Sequence, residues 1–160
     1  MAVDAGNVGL FCDLAGTLAA MDETRQLPVD ARGDITITLL PGVKEKLVPM
    51  RDRLIFVVTN QAGIRRGRLR REKVEAALSD LDCQLDGILT AWEICSHDDA
   101  DNCACRKPKG GMISSLASIH GVDLAASTMV GDQEIDAQAA AAAGVGNFVY
   151  AAEFFERPAK

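Results

Sequence analysis

The sequence predicts an α/β domain: a Rossmann-like parallel sheet with helices on both faces and no large cap domain. Three observations carry that expectation. Strand-like apolar runs alternate with segments of helical period along most of the chain. Leu54–Val58 (LIFVV) is apolar without interruption, as a strand covered on both faces must be. Polar clusters at Asp13, Thr59-Asn60 and Asp132 follow strand-like runs, where open parallel sheets hold their ligands.

Taken in order, Val8–Cys12 is a short apolar run that ends at Asp13, and its length suits a buried strand. The stretch 19–34 is mixed, with Pro28 and Gly33, and reads as an irregular excursion. Ile35–Leu40 (ITITLL) reads as a strand or hairpin arm. Pro41-Gly42 breaks the chain before an amphipathic helix over Val43–Arg51. After the LIFVV strand, Val74, Ala77, Leu78, Leu81 and Leu85 recur at helical spacing within Arg70–Leu85. Gly87–Trp92 is the next expected strand, and Cys95–Cys105 a polar loop. Gly111–His120 reads as a helix closed by Gly121. Ser127–Val130, the alanine-rich Ile135–Ala143 and Val145–Tyr150 complete the alternation as strand, helix and strand.

The chain has 160 residues, 48% hydrophobic and 25% charged, with a formal net charge of −6. That size suits one domain over residues 1–160. No apolar run approaches the roughly 20 residues of a membrane span, and MAVDAGNVGL lacks the pattern of a signal peptide. These features lead to the expectation of a cytoplasmic protein without a membrane partner, a monomer or weak homodimer. The acidic balance disfavours broad nucleic-acid binding.

Asp13 and Asp132 are the candidates for chemistry. Each could be a helix N-cap after a strand. Brought together at strand ends, two carboxylates repel unless a cation lies between them, and a hard, oxygen-ligated ion such as Mg²⁺ meets that need.

Four segments, FCDLAGTL, VVTNQAGIRRGR, CRKPKGGM and MVGDQEIDAQAA, together resemble the haloacid dehalogenase-like phosphohydrolase superfamily. The TNQ-G, zinc-loop and GD-x-x-x-D patterns resemble its subgroup IIIA, which holds the heptose bisphosphate and histidinol phosphate phosphatases. The polynucleotide 3′-phosphatase domains share much of this pattern. The resemblance implies a Mg²⁺-dependent phosphate monoester hydrolase acting on a small phosphorylated metabolite. By the same resemblance, Asp13 is the nucleophile that carries the phosphoryl group. Thr59 and Asn60 bind phosphate oxygens through the hydroxyl and neighbouring amides. Lys107, with Arg106 beside it, holds the phosphate. Mg²⁺ is bound by Asp13, the backbone carbonyl of Ala15 and Asp132, with Asp136 in support. Gln133 departs from the lysine that heptose phosphatases place after the last-motif Asp.

A second departure bears on activity. The family's first motif is Asp-x-Asp-Gly-Thr, and here it reads Asp13-Leu14-Ala15-Gly16-Thr17. The missing second acid normally protonates the leaving oxygen and then activates water. General acid–base catalysis contributes about 10²- to 10⁴-fold, so Ala15 implies impaired turnover. Three readings stay open: a substitution introduced to hold a ligand or disable turnover, a natural weakly active or binding-only relative, or different chemistry. The last is suggested by phosphonoacetaldehyde hydrolases, which also carry Ala here. They use a Schiff-base lysine from an inserted helical cap, and no cap bundle is evident between Thr17 and Thr59.

Cys95, His97, Cys103 and Cys105 form C-x-H-x₅-C-x-C. Three thiolates and an imidazole can complete a closed tetrahedral Zn²⁺ shell, a structural site with no open position. The alternative is a set of reduced, independent thiols. Such an ion would pin a loop with little apolar surface and position Lys107, two residues on. Cys12 and Cys83 read as core residues. Arg65, Arg66, Arg68, Arg70, Arg71 and Lys73 crowd together after Thr59-Asn60. They are either an electropositive rim for a second phosphate or a nucleic-acid end, or a solvated helix start balanced by Glu72 and Glu75. Phe154-Phe155 near the end reads as core packing or a dimer contact.

Overall fold

Five short strands form one sheet in the order β3-β2-β1-β4-β5 in the computed structural model, which describes residues 7–158. They are β1 Gly9–Cys12, β2 Leu54–Asn60, β3 Ala91–Cys95, β4 Thr128–Gly131 and β5 Asn147–Tyr150. Every pairing is parallel. The sheet therefore needs crossovers, and the intervening segments supply α1 Val43–Leu47, α2 Arg71–Gln84, α3 Gly111–His120 and α4 Glu134–Ala143, with a short α5 Ala151–Phe154 at the end. The first six residues, and with them most of the segment read for a leader, lie outside the described residues.

Side chains alternate across the sheet, and the alternation separates two cores. Leu10, Cys12, Ile55 and Val57 face α1, α2 and the excursion after β1, where Val43, Leu47, Val74, Leu78 and Leu81 are buried. Phe11, Phe56, Val58 and Met129 face α3 and α4, where Met112, Ile113, Leu116, Ala139 and Ala140 are buried. Helices on both faces and the absence of any inserted cap among the described residues match the sequence expectation. No described helix is long and apolar enough to cross a membrane.

β1 lies at the centre, with Cys12 level with Val57 on one side and Val130 on the other. The chain goes to β2 and β3 in one direction and to β4 and β5 in the other. The ends of β1 and β4 thus flank a topological switch point, where such sheets open a crevice. Asp13 continues the ladder beyond β1 by donating its N–H to the Val130 carbonyl at 3.0 Å.

Several expectations shift. Ile35–Leu40 forms no strand; it makes only isolated bridges, Val29 with Ile35 and Ala19 with Leu39. The helix expected over Val43–Arg51 stops at Leu47 and tightens into a 3₁₀ turn, Val48–Met50, around Pro49, because proline cannot donate to the preceding turn. The strand expected at Gly87–Trp92 begins at Ala91. Cys83 is exposed rather than in the core, whereas Cys12 is fully buried. Phe155 is buried in the first core, which satisfies the packing reading of the tail.

Candidate active site

The ends of β1 and β4 bring Asp13 and Asp132 together as the sequence suggested. Asp136, in the first turn of α4, joins them: one carboxylate oxygen from each lies within 4.8 Å of the others. Lys107 reaches in from the loop before α3. Its Nζ donates to Asp13 Oδ1 at 2.7 Å, to Asp136 Oδ1 at 2.7 Å and to the Val58 carbonyl at 3.1 Å. Three acceptors use all three protons of the ammonium. The lysine is only 3% exposed, and burial alone would lower its pKa. The charges of Asp13 and Asp136 outweigh that and raise it. Asp136 also accepts from the Gln133 N–H at 3.2 Å, so the same carboxylate caps α4 and orients the lysine.

Thr17 donates to Asp13 at 3.2 Å and lies 3.4 Å from Asp132. Gly16 turns the chain between them at φ 83°, where a Cβ would fall 2.3 Å from Asp132 Oδ2. Only glycine fits there. Burial and then the negative charge of Asp13 push the Asp132 carboxyl up to about 7, and the same two causes raise Asp136. These are carboxylates short of positive charge. Together with their all-oxygen chemistry, this fits a hard divalent cation.

Asn60 locks the loop that carries the lysine. Its side-chain amide donates to the Lys107 carbonyl at 3.1 Å and its oxygen accepts from the Lys107 N–H at 3.0 Å. Both side-chain polar atoms of Asn60 are thus engaged by Lys107. Thr59 is buried and accepts from Gln61 Nε2 at 2.9 Å. Beside these residues a pocket of about 140 Å³ is walled by Ala15, Gln61, Arg25, Arg66, Arg68 and Arg106 among others. Arg106 is steadied by Asp99 at 2.7 Å and by the His97 carbonyl at 3.3 Å. A wider groove of about 890 Å³ opens on the other side of Arg25, along Met21, Asp132, Tyr150 and Arg157.

The Cys–His loop gathers as predicted. The sulfur atoms of Cys95 and Cys105 are 3.1 Å apart and those of Cys95 and Cys103 3.7 Å apart. His97 Nδ1 lies 3.3 Å from Cys105 and 3.6 Å from Cys95. Sulfurs in a disulfide would be about 2.05 Å apart. The edges of a tetrahedron around zinc, with Zn–S near 2.3 Å, are about 3.8 Å. The set therefore fits a four-coordinate zinc ion. Burial and the hydrogen bond from Cys105 push Cys95 up to about 12. Burial opposes ionisation of Cys103 as well, yet the Arg106 amide and its thiol neighbours bring it down to about 6. One thiol is thus poised to ionise first.

The basic stretch divides between the two readings made of it. Arg65 pairs with Asp101 at 3.2 Å, Arg66 with Asp98 at 2.7 Å, Arg71 with Glu75 at 3.9 Å, and Lys73 with Asp34. Arg66 and Arg68 nonetheless line the pocket. Sequence reasoning missed Arg25, which contacts Asp132 at 3.2 Å. With its amide oxygen turned inward, Gln133 accepts from the same guanidinium at 2.9 and 2.6 Å. Arg25 lies in the irregular excursion, where no periodicity marks a residue as inward-facing.

Comparison with known proteins agrees with this geometry. The family model for HAD-hydrolase-like proteins matches residues 104–158. The D-glycero-beta-D-manno-heptose-1,7-bisphosphate 7-phosphatase of Salmonella typhi is 41% identical over 109 residues, 59% of this chain and 56% of that protein. Its namesake from Bordetella bronchiseptica is 37% identical over 114 residues, 66% of this chain and 62% of that protein. The chain thus spans little more than half the length of these curated relatives. A crystal structure of D,D-heptose 1,7-bisphosphate phosphatase from B. bronchiseptica, complexed with magnesium and phosphate, superposes with a TM-score of 0.75 at 28% identity. It covers 88% of this chain and 78% of that one. By fold and by sequence, the chain is similar to HAD-like hydrolases and, among them, to the heptose bisphosphate phosphatases.

Proposed function

We propose that residues 1–160 act as one phosphatase domain that transfers a phosphoryl group from a small phosphorylated metabolite to Asp13 and then to water. The observation that carries this reading is Lys107, fully buried between Asp13 and Asp136 at the crevice of the sheet. A buried cation at that point neutralises a nucleophilic carboxylate in the crevice where an anionic substrate would bind. Bound Mg²⁺, held by Asp13, the Ala15 carbonyl and Asp132, would supply the remaining charge neutralisation on the transferring oxygens. The Thr59 hydroxyl and the backbone amide of Asn60 bind phosphate oxygens, and Arg106 contributes charge from the pocket wall. Zinc on Cys95, His97, Cys103 and Cys105 is structural and fixes the segment that delivers Arg106 and Lys107.

The substrate class is a sugar bisphosphate. Relatives named for heptose bisphosphate support it, and so does the arginine-walled pocket beside Ala15, which suits a second anionic group. Histidinol phosphate is the other candidate from the same subgroup. A nucleic-acid 3′-phosphatase is weakened by the pairing of Arg65, Arg66, Arg71 and Lys73 with acidic partners. The domain works in the cytoplasm as a monomer or weak homodimer.

Ala15 favours a second reading, phosphate binding without turnover. The deciding experiment is phosphate release with Mg²⁺ from heptose bisphosphate, histidinol phosphate and a 3′-phosphorylated oligonucleotide, for the chain as it stands and for Ala15→Asp. Slow release that rises about 10²- to 10⁴-fold in the variant is expected, with heptose bisphosphate the best substrate. Phosphate binding with no release by either chain establishes the binding-only reading.

A further inference from the structure

The pocket wall beside Ala15 contains no Asp, Glu or His. It offers arginines, which stay protonated and cannot serve as acid or base near neutral pH, and the uncharged side chains of Asn60, Gln26 and Gln61. The other carboxylates of the site are engaged elsewhere. Asp136 holds Lys107 and the Gln133 N–H, and Asp132 holds Arg25. Asp13 itself is oriented at both oxygens, Oδ1 by Lys107 and Oδ2 by Thr17. The structure therefore combines a prepared nucleophile with an adjoining cationic pocket whose lining has no carboxylic acid or imidazole to give a proton.

We propose that Asp13 accepts phosphoryl groups selectively from acyl phosphates and that the product persists as a phosphorylated form of the chain. The proposal rests on the reading of Asp13 as phosphoryl acceptor and concerns which donors it can use. In the first step an Asp13 oxygen attacks phosphorus and the bond from phosphorus to the acyl oxygen breaks. The electron pair leaves on that oxygen as a free carboxylate. A carboxylic acid has a pKa of about 4, so the departing group needs no proton, and the arginines stabilise its charge. An alkyl phosphate would instead release an alkoxide, whose conjugate acid is nearly as weak as bulk water. Hydrolysis of the aspartyl phosphate requires water to lose a proton as it attacks, and the methyl group of Ala15 cannot accept one.

The test is intact-mass spectrometry of the zinc-loaded full chain with Mg²⁺ at neutral pH, using acetyl phosphate and, separately, fructose 1,6-bisphosphate as probes. The expected result is a gain of one phosphoryl group from acetyl phosphate, removed by hydroxylamine and absent in Asp13→Asn. It should form about 10²-fold or more faster than from the sugar phosphate. In Ala15→Asp the adduct should decay faster, with release of phosphate. Equal labelling by both probes overturns the selectivity. Release of phosphate from acetyl phosphate by the unaltered chain without an adduct overturns the persistence. No adduct, with sugar-phosphate hydrolysis restored in Ala15→Asp, overturns this proposal and leaves the phosphatase reading standing. No adduct and no phosphate release from either chain overturns both.

Discussion

The two candidate metal centres are built in opposite ways. The carboxylate cluster stands on the ends of β1 and β4, and its neighbours Cys12, Val58 and Val130 are fully buried. Its geometry comes from the sheet, and a cation would be received by a frame already in place. The Cys–His centre stands largely on a loop. Only Cys95 belongs to a strand; His97, Cys103 and Cys105 are held by a 3₁₀ turn, Asp99–Asp101, and by exposed Arg–Asp pairs. Here a bound ion would supply the frame. Yet the rigid cluster takes its buried cation, the only one among the described residues, from this loop, because Lys107 follows Cys105 by two residues. Order in the weaker region is therefore a condition for charge balance in the stronger one.

The largest effect should come from cutting that link at its end. Lys107→Ala leaves Asp13 and Asp136 facing each other without a cation. Removing one partner of a buried ion pair costs about 3–5 kcal/mol. Urea denaturation at pH 7 should show a loss of that order, and calorimetric binding of inorganic phosphate in the presence of Mg²⁺ should weaken. A variant as stable as the parent would mean that the cluster does not depend on the loop.

Cutting the link at its origin should have the next largest effect. The purified chain is expected to carry about one zinc ion, and Cys105→Ser should lose it. The melting temperature should fall by roughly 5–10 °C, the shift expected when a domain of this size loses about 2–3 kcal/mol. Far-UV circular dichroism should change little, since the helices pack on cores formed mainly away from the loop. Zinc absent from a preparation with unoxidised cysteines would remove the premise.

The same contrast explains what the sequence made legible. Elements positioned by packing were readable: Gly111–His120 was expected and found at the same residues, and the uninterrupted apolar run marked β2. The clustering of Cys95, His97, Cys103 and Cys105 was readable because thiols and imidazole at that spacing have few other uses. Edges and loops were less so. β3 was expected over Gly87–Trp92, because Glu93 interrupts the apolar pattern after Trp92, and is found at Ala91–Cys95. As an edge strand it tolerates both residues, with Trp92 Nε1 donating to Glu75 and Glu93 accepting from Ser115. Cys83 was misjudged from its apolar sequence neighbours. The helical period, which buries Val74, Leu78 and Leu81, turns a residue two positions beyond Leu81 to the outside. Arg25 reaches the site by a loop path that no local pattern encodes.

A smaller effect should separate the two centres by pH. The Asp132 carboxyl is raised to about 7, and Asp136 is raised too. Between the ordinary carboxylate range and about pH 7 the folded state then binds more protons than the unfolded one. Stability without Mg²⁺ should therefore fall as pH rises from 5 to 7.5. Mg²⁺ should flatten that slope, because a cation replaces the protons. Thermal melts at both pH values, with and without Mg²⁺, check this. A slope unaffected by Mg²⁺ would mean that the ion is not received at these carboxylates.

The smallest effect should distinguish arginines that only fasten the loop from those that also face the pocket. Arg65 and Arg66 are neighbours in sequence, both largely exposed and both paired with an aspartate of the zinc loop. Exposed ion pairs contribute little to stability, so Arg65→Ala and Arg66→Ala should each leave the melting temperature nearly unchanged. Their consequences for ligand binding should differ, because Arg66 lines the pocket beside Ala15 and Arg65 does not. Calorimetric titration with inorganic phosphate should show weaker binding in Arg66→Ala and none of that loss in Arg65→Ala. Equal losses in both would mean that the two arginines act through the loop alone, and the zinc region would then control the phosphate site by order and not by charge.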